Sequence, residues 1–315
     1  MTADIVVIGS INADLTVRTT RHPSPGETLL GSGGQISPGG KGANQATAAA
    51  LLGGTVAMLG AVGDDPAADS ALRGLRTSGV DISGVATVPG PTGLAIITVA
   101  EDGENTIVVV PGANASVDAE ALSAHQELIA SAQVVVAQGE IPREGTEQAA
   151  RWCQGRLILN PAPVGALAPE VLHAADPLIV NEHEASLILT MLTEGQSRAE
   201  DPPPDIMKDP SDLARALLAA GPRSVVLTLG AHGAVVATPG TGSKQLSEVT
   251  TVPAHQVHTV DTTGAGDAYV GAIAVRLSEG ADLVQAAHFA TMVSAHVVQY
   301  EGAQDSYPRR IQVRS

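Results

Sequence analysis

Asp261-Thr262-Thr263-Gly264-Ala265-Gly266-Asp267-Ala268-Tyr269-Val270-Gly271-Ala272 sets two carboxylates on either side of a Thr/Gly-rich turn, and an amphipathic run rich in Ala and Val follows to about Leu277. Glycines let the backbone turn tightly and bring its N–H groups close to a ligand. The first turn of the following helix adds unpaired donors and the positive end of a dipole, so the turn attracts an anion such as a phosphate. A carboxylate inside that turn is disfavoured by any anion bound there. A general base beside a phosphate-binding loop would give Asp267 a reason to be there. The plainer alternative is a helix start, with Gly264 and Gly266 as loop residues and Asp267 as a first-turn acid that complements the dipole.

Outward from this stretch, short β-branched runs alternate with helical patterns. Strands are expected at Ile5–Ile8, Thr55–Leu59, Leu94–Val99, Thr106–Val110, Val134–Ala137, Leu157–Leu159, Leu178–Val180, Ser224–Leu229 and Ala234–Ala237. Helices are expected at Ala43–Leu52, Ala67–Ser78, Ala119–Ser131, Glu144–Cys153, Glu182–Leu192, Pro210–Ala220, Asp267–Ser278 and Leu283–Val298. From about residue 130 the alternation predicts parallel βαβ units with helices on both faces. Asp14–Pro38 and Thr92–Gly112 break the rhythm and read as β-structure, with Glu101-Asp102-Gly103-Glu104 as a hairpin turn. A small sheet serving as a lid over a cleft accounts for both segments, and so does an antiparallel extension of one sheet edge. Glu194–Asp209, with Pro202–Pro204, reads as an exposed loop. No internal repeat or linker divides the chain, so a single α/β domain over residues 1–315 is expected.

The balance of 17 basic against 33 acidic residues gives a net charge of −16, which disfavours nonspecific binding to nucleic acid or an anionic membrane. Cys153 is the only cysteine, so neither an intramolecular disulfide nor a cysteine metal cluster can form, which suits a reducing cytoplasm. The chain enters its first strand without a basic leader, and no apolar run approaches the ~20 residues of a membrane span. Aromatic residues are 2% of the chain, so Ala, Val, Leu and Ile must pack its core.

Gly39-Gly40-Lys41-Gly42-Ala43-Asn44-Gln45 is a second glycine-rich turn opening a helix, with a lysine and two side-chain amides. It fails the P-loop template, because Gln35 stands five before Gly40 and Gly42 follows Lys41 where Ser or Thr is needed. No G-x-G-x-x-G joins the first strand to its helix, so a dinucleotide fold has little support. The stretch does offer close backbone approach, with the donors and acceptors that recognise a polyhydroxylated ligand. A tight turn with a solvated lysine is the plain alternative. Asn12 and Asp14 leave the first strand at its carboxyl end, where open α/β sheets bind ligands; there they could hold sugar hydroxyls or form an Asx-turn.

Gly9–Asp14, Gly39–Gln45, Asn160-Pro161-Ala162-Pro163, Asn181-Glu182-His183-Glu184 and Asp261–Asp267, in this order and spacing, resemble the ribokinases of the PfkB carbohydrate kinase family. Thr92-Gly93, Gly112-Ala113-Asn114 and Gly302-Ala303-Gln304 also fit, and the likeness runs from about Asp4 to Pro308. The resemblance implies a ribokinase-like three-layer sandwich with a mostly parallel central sheet and a β-lid, built from segments within 14–38 and 92–112, that forms a homodimer contact. It implies transfer of the ATP γ-phosphoryl group to the 5-hydroxyl of D-ribose. Asp267 matches the base, and Gly264, Ala265 and Gly266 the anion hole. Asn12, Asp14, Gly40, Lys41, Gly42, Ala43, Asn44 and Glu140 match the sugar site. Asn181, Thr228, Leu229, Gly230, Ala231, His232, Gly233, Gly266 and Thr291 match the nucleotide site. Mg2+ is implied as the ATP partner, with Glu184 acting through water, and K+ at Asp261, Thr263, Val297, Tyr300, Gly302 and Ser306.

Three features depart from the pattern: the length of Glu194–Asp209, the small Thr291, and Ala231-His232 after Gly230. Two readings compete with a D-ribose kinase. One is a kinase of another pentose or nucleoside, such as 2-deoxyribose or adenosine; the other is a sugar-binding regulator without catalysis. Asp267 together with the glycine turn argues against the regulator, because a pure binder has no need of a base.

Overall fold

Ile5-Val6-Val7-Ile8 is apolar at every position because its strand lies inside a sheet covered on both faces. That strand, β1 (Ile5–Ile8), sits near the centre of the chain's architecture. The computed structural model describes residues 3–102, 104–166, 168–194, 209–240 and 247–313. After β1 come β2 (Asn12–Thr19), β3 (Ser32–Gly39), α1 (Lys41–Leu51), β4 (Val56–Gly63), α2 (Ala67–Ser78), β5 (Asp81–Val88), β6 (Gly93–Ala100) and β7 (Asn105–Val110). The central part holds α3 (Gln126–Ser131), β8 (Val134–Gln138), α4 (Arg143–Trp152), β9 (Arg156–Asn160), α5 (Pro169–Ala174), β10 (Ala175–Asn181) and α6 (Glu182–Glu194). Then follow α7 (Pro210–Ala219), β11 (Val225–Thr228), β12 (Ala234–Thr238), β13 (Glu248–Val252), α8 (Ala265–Ser278) and α9 (Leu283–Val297).

Nine strands form one sheet in the order β13-β12-β11-β10-β9-β8-β1-β4-β5. It is parallel from β5 to β11, while β12 and β13 close it antiparallel. Alternate residues of its strands feed two cores. Ile5, Val7, Val134, Val136 and Ile158 pack under α1, α2, α8 and α9, whereas Val6, Ile8, Val135, Leu157 and Leu159 pack under α3 to α7. This is the three-layer sandwich expected. A second sheet of four strands, order β3-β2-β6-β7, is built from the two segments that broke the βαβ rhythm. Among the described residues no helix is long and apolar enough to cross a membrane.

Several boundaries differ from the pattern-based expectations. β5 and β13 are the outer strands of the large sheet and carry polar residues such as Asp81, Ser83 and Glu248, so no continuous apolar run marks them. Helix was expected over 119–131, but only Gln126–Ser131 is α-helical, after a 3-10 turn at Ser123–His125. The helix α5 is six residues long, too short for a periodic pattern to show. The hairpin residue Gly103 and residues 195–208 of the proline-rich loop lie outside the described residues.

Candidate active site

The carboxyl ends of β1, β8, β9, β10 and β11 all reach one edge of the sheet, and α1 and α8 start there too. α1 starts after Gly40, whose φ of 86° favours glycine and where a Cβ would stand 2.9 Å from Asn12 N and Ser10 O. This close crossing sets the Gly39–Gln45 turn directly against Ser10–Asp14.

Around that crossing lie the residues assigned to a sugar. Ser10 Oγ donates to Glu140 Oε2 (2.5 Å), the Lys41 N–H donates to the same oxygen (3.1 Å), and the Gly42 N–H donates to Ser10 Oγ (3.3 Å). Asn12 is buried, and its Oδ1 accepts from Asn114 Nδ2 (2.7 Å). Asp14 projects from β2 over Gly39, where a Cβ would fall 2.0 Å from its Oδ2. Its Oδ1 is buried with no hydrogen-bond partner among the described residues. Burial, then Glu140 and Asp267, push the Asp14 carboxyl up to about 7. Burial works against the Lys41 ammonium, but Asp267, Glu140 and Glu184 outweigh it and hold the Lys41 pKa above its usual value. The cluster is therefore a half-buried group of acids around one lysine, with unspent acceptors.

Asp267 lies in the first turn of α8, 9% exposed. Asn44 Nδ2 donates to its Oδ2 (2.9 Å) and Gln45 Nε2 to its Oδ1 (3.0 Å). The carboxylate is thus gripped from α1, and each oxygen retains acceptor capacity.

The turn before α8 is held from outside. Gly264 has φ 74°, Tyr307 Oη donates to its carbonyl (3.1 Å), and an added Cβ would meet that hydroxyl at 2.6 Å. No side chain caps the helix. The Ala265 N–H donates to Thr262 O (3.2 Å), so the donors that helix geometry leaves open belong to Gly266 and Asp267. A Cβ on Gly266 would meet nothing within 4 Å, so protein packing does not explain that glycine.

Gly266 also lines a cavity of about 290 Å³, together with Thr228, Gly230, Ala231, Gly233 and Thr291 from the expected nucleotide set. Leu229, His232 and Asn181 are not in its wall. Residues 254–257, Thr259, Thr262, Ala265, Tyr269, Ser294, Ala295 and Val298 complete the lining. The 254–259 stretch has no helix or strand and carries no motif, so sequence reading passes it over. Asn181 and Glu184 cap α6 reciprocally: the Asn181 N–H donates to Glu184 Oε2 (2.9 Å) and the Glu184 N–H to Asn181 Oδ1 (2.8 Å). Their side chains therefore have a structural use.

The six residues assigned to potassium come from the turn before α8 and from the end of α9 with the segment that follows it, and the two stretches meet at Asp261. Its Oδ1 accepts from the N–H (2.9 Å) and hydroxyl (2.7 Å) of Thr263, and its Oδ2 accepts from the Gly302 N–H (2.8 Å). Asp261 is held ionised: burial raises its pKa, but these bonds and Arg18 prevail and lower it overall. Val297 and Ser306 are buried and Tyr300 is 52% exposed. Among the described residues no three His, Cys, Asp or Glu side chains converge as a metal cluster.

The residues that sequence reading left out of the site are Ser10, Asn114, Gln45, Gln138, Asn160 and Gln304. Ser10, Asn114, Gln45, Asn160 and Gln304 lie in motifs quoted above without a role of their own; the signal for Gln138, and a further one for Asn160, is a polar amide closing an otherwise apolar strand, Val134-Val135-Val136-Ala137-Gln138 and Leu157-Ile158-Leu159-Asn160.

Comparison with known proteins places the chain among carbohydrate kinases. Residues 2–310 match the pfkB family carbohydrate kinase model. The chain is similar to the ribokinase of Bacillus subtilis (strain 168), 38% identical over 315 residues and 98% of each chain. It is also similar to the deoxyribokinase of Salmonella typhi, 34% identical over 97% of this chain and 95% of that one. Among solved structures, Arabidopsis thaliana ribokinase complexed with ribose and ATP superposes with a TM-score of 0.83, at 32% identity, covering 99% of this chain and 98% of that one.

Proposed function

The chain belongs to the pfkB family of carbohydrate kinases and is an enzyme of the ribokinase type, and on that premise we propose that it transfers the γ-phosphoryl group of ATP to the 5-hydroxyl of D-ribose. The observation that carries the reading is the position of Asp267. Its carboxylate is oriented by Asn44 and Gln45 beside the Asp14–Lys41–Glu140 cluster, on a helix whose first-turn glycine lines the cavity.

A sugar hydroxyl is a poor nucleophile at neutral pH. Asp267 accepts its proton as the oxygen attacks the γ-phosphorus and the bond to the ADP oxygen breaks. Charge on the transferring group is met by the Gly266 and Asp267 N–H groups and the positive end of α8. Asp14, Asn12, Lys41 and Glu140 hold the sugar hydroxyls; Asp14, with its unpartnered oxygen, is the strongest acceptor left for them. The wall formed by Thr228, Gly230, Gly233 and Thr291 takes the nucleotide.

Magnesium would be held by the nucleotide phosphates and water, with Glu184 on the water shell, and would neutralise phosphate charge. Glu184 fits this because its carboxylate accepts the Asn181 N–H through Oε2 and keeps further acceptor lone pairs for water. Potassium would sit among the carbonyls of Thr263, Val297, Tyr300, Gly302 and Ser306, with Asp261 supplying the countercharge and joining the two stretches. The small sheet acts as a lid within a single domain and pairs two chains as a homodimer. The lone, half-buried thiol of Cys153 suits a reducing cytoplasm.

A kinase of 2-deoxyribose is the second reading, favoured by the deoxyribokinase among the relatives. A site built to hold the 2-hydroxyl leaves polar groups unpaired when it is absent. ADP release measured with D-ribose, 2-deoxyribose, fructose and adenosine, with and without potassium, separates the readings. D-Ribose should turn over fastest and potassium should raise the rate. Turnover of another sugar without D-ribose overturns the substrate, and equal rates in sodium-only buffer remove the potassium site.

A further inference from the structure

Four side-chain amides make two arms that end on the two oxygens of Asp267. In the first arm Gln304 Nε2 donates to Asn44 Oδ1 (2.8 Å), and Asn44 Nδ2 donates to Asp267 Oδ2 (2.9 Å). In the second, Gln138 Nε2 donates to Gln45 Oε1 (2.8 Å), and Gln45 Nε2 donates to both Asp267 Oδ1 (3.0 Å) and Asn160 Oδ1 (3.1 Å). Asn160 is itself fixed by donating from Nδ2 to Ile179 O (2.9 Å). An amide has one accepting end and one donating end, so its orientation is set by whichever neighbour occupies the other end. With Gln304 on its oxygen, Asn44 must present N–H to Asp267; with Gln138 on its oxygen, Gln45 must do the same. Gln45, Gln138 and Gln304 are all buried, where a misdirected amide costs the desolvation of both faces.

Gln304 also follows Gly302, whose N–H holds Asp261, by two residues. The arm therefore links the segment that holds Asp261 to the base through two side chains, Gln304 and Asn44.

We propose that Gln45 and Gln304 are positioning residues for the phosphoryl-transfer step. They fix the plane of the Asp267 carboxylate and the lone pairs it offers to the sugar hydroxyl, Gln45 directly and Gln304 by setting the orientation of Asn44. This rests on the reading of Asp267 as base. Neither glutamine is in the set assigned to the sugar or the nucleotide.

The test is a double-mutant cycle. Gln45→Met and Gln304→Met keep length and remove the donor, and Gln304→Glu keeps length but reverses polarity. With Glu at 304, Asn44 donates to it and turns Oδ1 onto Asp267. Each is made in the wild-type and Asp267→Asn backgrounds. Single-turnover rates, D-ribose binding by calorimetry and melting temperature are then recorded. In the wild-type background we expect the Met variants to lose about 10-fold or more in rate, D-ribose affinity of Gln45→Met to stay within about 3-fold, and Gln304→Glu to fall below Gln304→Met. In the Asp267→Asn background the residual rate should be the same with or without either Met change, because nothing is left to position. Equal losses in both backgrounds, or Gln304→Glu matching or exceeding Gln304→Met, overturn the proposal. If Gln45→Met melts below the assay temperature, the Gln304 pair decides the matter. A wild type that turns over another sugar and not D-ribose overturns the substrate reading alone, and the cycle is run on that sugar.

Discussion

At the scale of single residues, the site separates two aspartates by what surrounds them. Asp267 accepts an amide N–H on each oxygen; Asp14 has an oxygen without a partner and acids for neighbours. Removing the first should remove chemistry and leave binding. Asp267→Asn should lower kcat by roughly 10²- to 10⁴-fold while calorimetry still detects D-ribose, and near-normal turnover would take Asp267 out of the base role. Removing the second should change stability with a definite pH sign. The Asp14 carboxyl is raised to about 7 in the folded chain from an ordinary value of 3.8. The unfolded chain thus gives up this proton first as pH rises. The contribution of Asp14 is fully present below the unfolded value and is lost through the folded one. Asp14→Asn cannot ionise, so its melting temperature relative to the parent should rise between about pH 4 and about pH 8, together with weaker sugar binding. A pH-independent difference would show that Asp14 is not held neutral in the free protein. The stability lost at neutral pH reflects keeping an acceptor ready for a hydroxyl.

At the scale of elements, the site depends on how closely α1 and α8 approach. Asn44 and Gln45 ride on α1 and Asp267 on α8. The helices touch at Gly271, where a Cβ would stand 2.8 Å from Ala48 Cβ and from Gln45 O. Gly271→Val should wedge the helices apart, lower stability by about 1–3 kcal/mol and cost activity beyond what that loss explains. Denaturant unfolding and kcat on the same sample check it, and unchanged kcat would show that the amide grip tolerates the shift. This geometry explains what could be read in advance. The βαβ rhythm, the two aspartates and the glycine turns were legible because each is a local pattern of residue types. The Gln304–Asn44 bond was not, since it joins positions 260 apart in sequence and no local pattern encodes it. The outer strands β5 and β13 were missed for a related reason: half their surface faces water, so the apolar signal is absent. The 254–259 wall of the cavity follows only from where the loop lies against α9.

At the scale of the whole molecule, the small sheet has two faces with different tasks. Register places Leu15 beside Ile36 on one side and Ile96 on the other, with Val108 beside Ile96, so these four side chains form one row across all four strands. Asp14, one residue away, points to the opposite face, over the sugar cluster. The row contains no charge, and Ile36, Ile96 and Val108 are 49%, 37% and 61% exposed. A contiguous apolar row of this kind marks an association surface, and the adjoining edge strand β7 is exposed at every residue, a further invitation to pairing. The homodimer proposed above should therefore be held by this face. Sedimentation should find the parent as a dimer and Val108→Lys as a monomer, because a lysine there would bring a charge into the apolar centre of the contact. Ile311→Lys, at a residue 81% exposed outside the small sheet, should leave the dimer intact. A dimeric Val108→Lys would move the contact elsewhere on the chain. If the monomer forms and its KM for D-ribose rises while kcat holds, the partner is steadying the sheet that carries Asp14, and the dimer is then part of the sugar site.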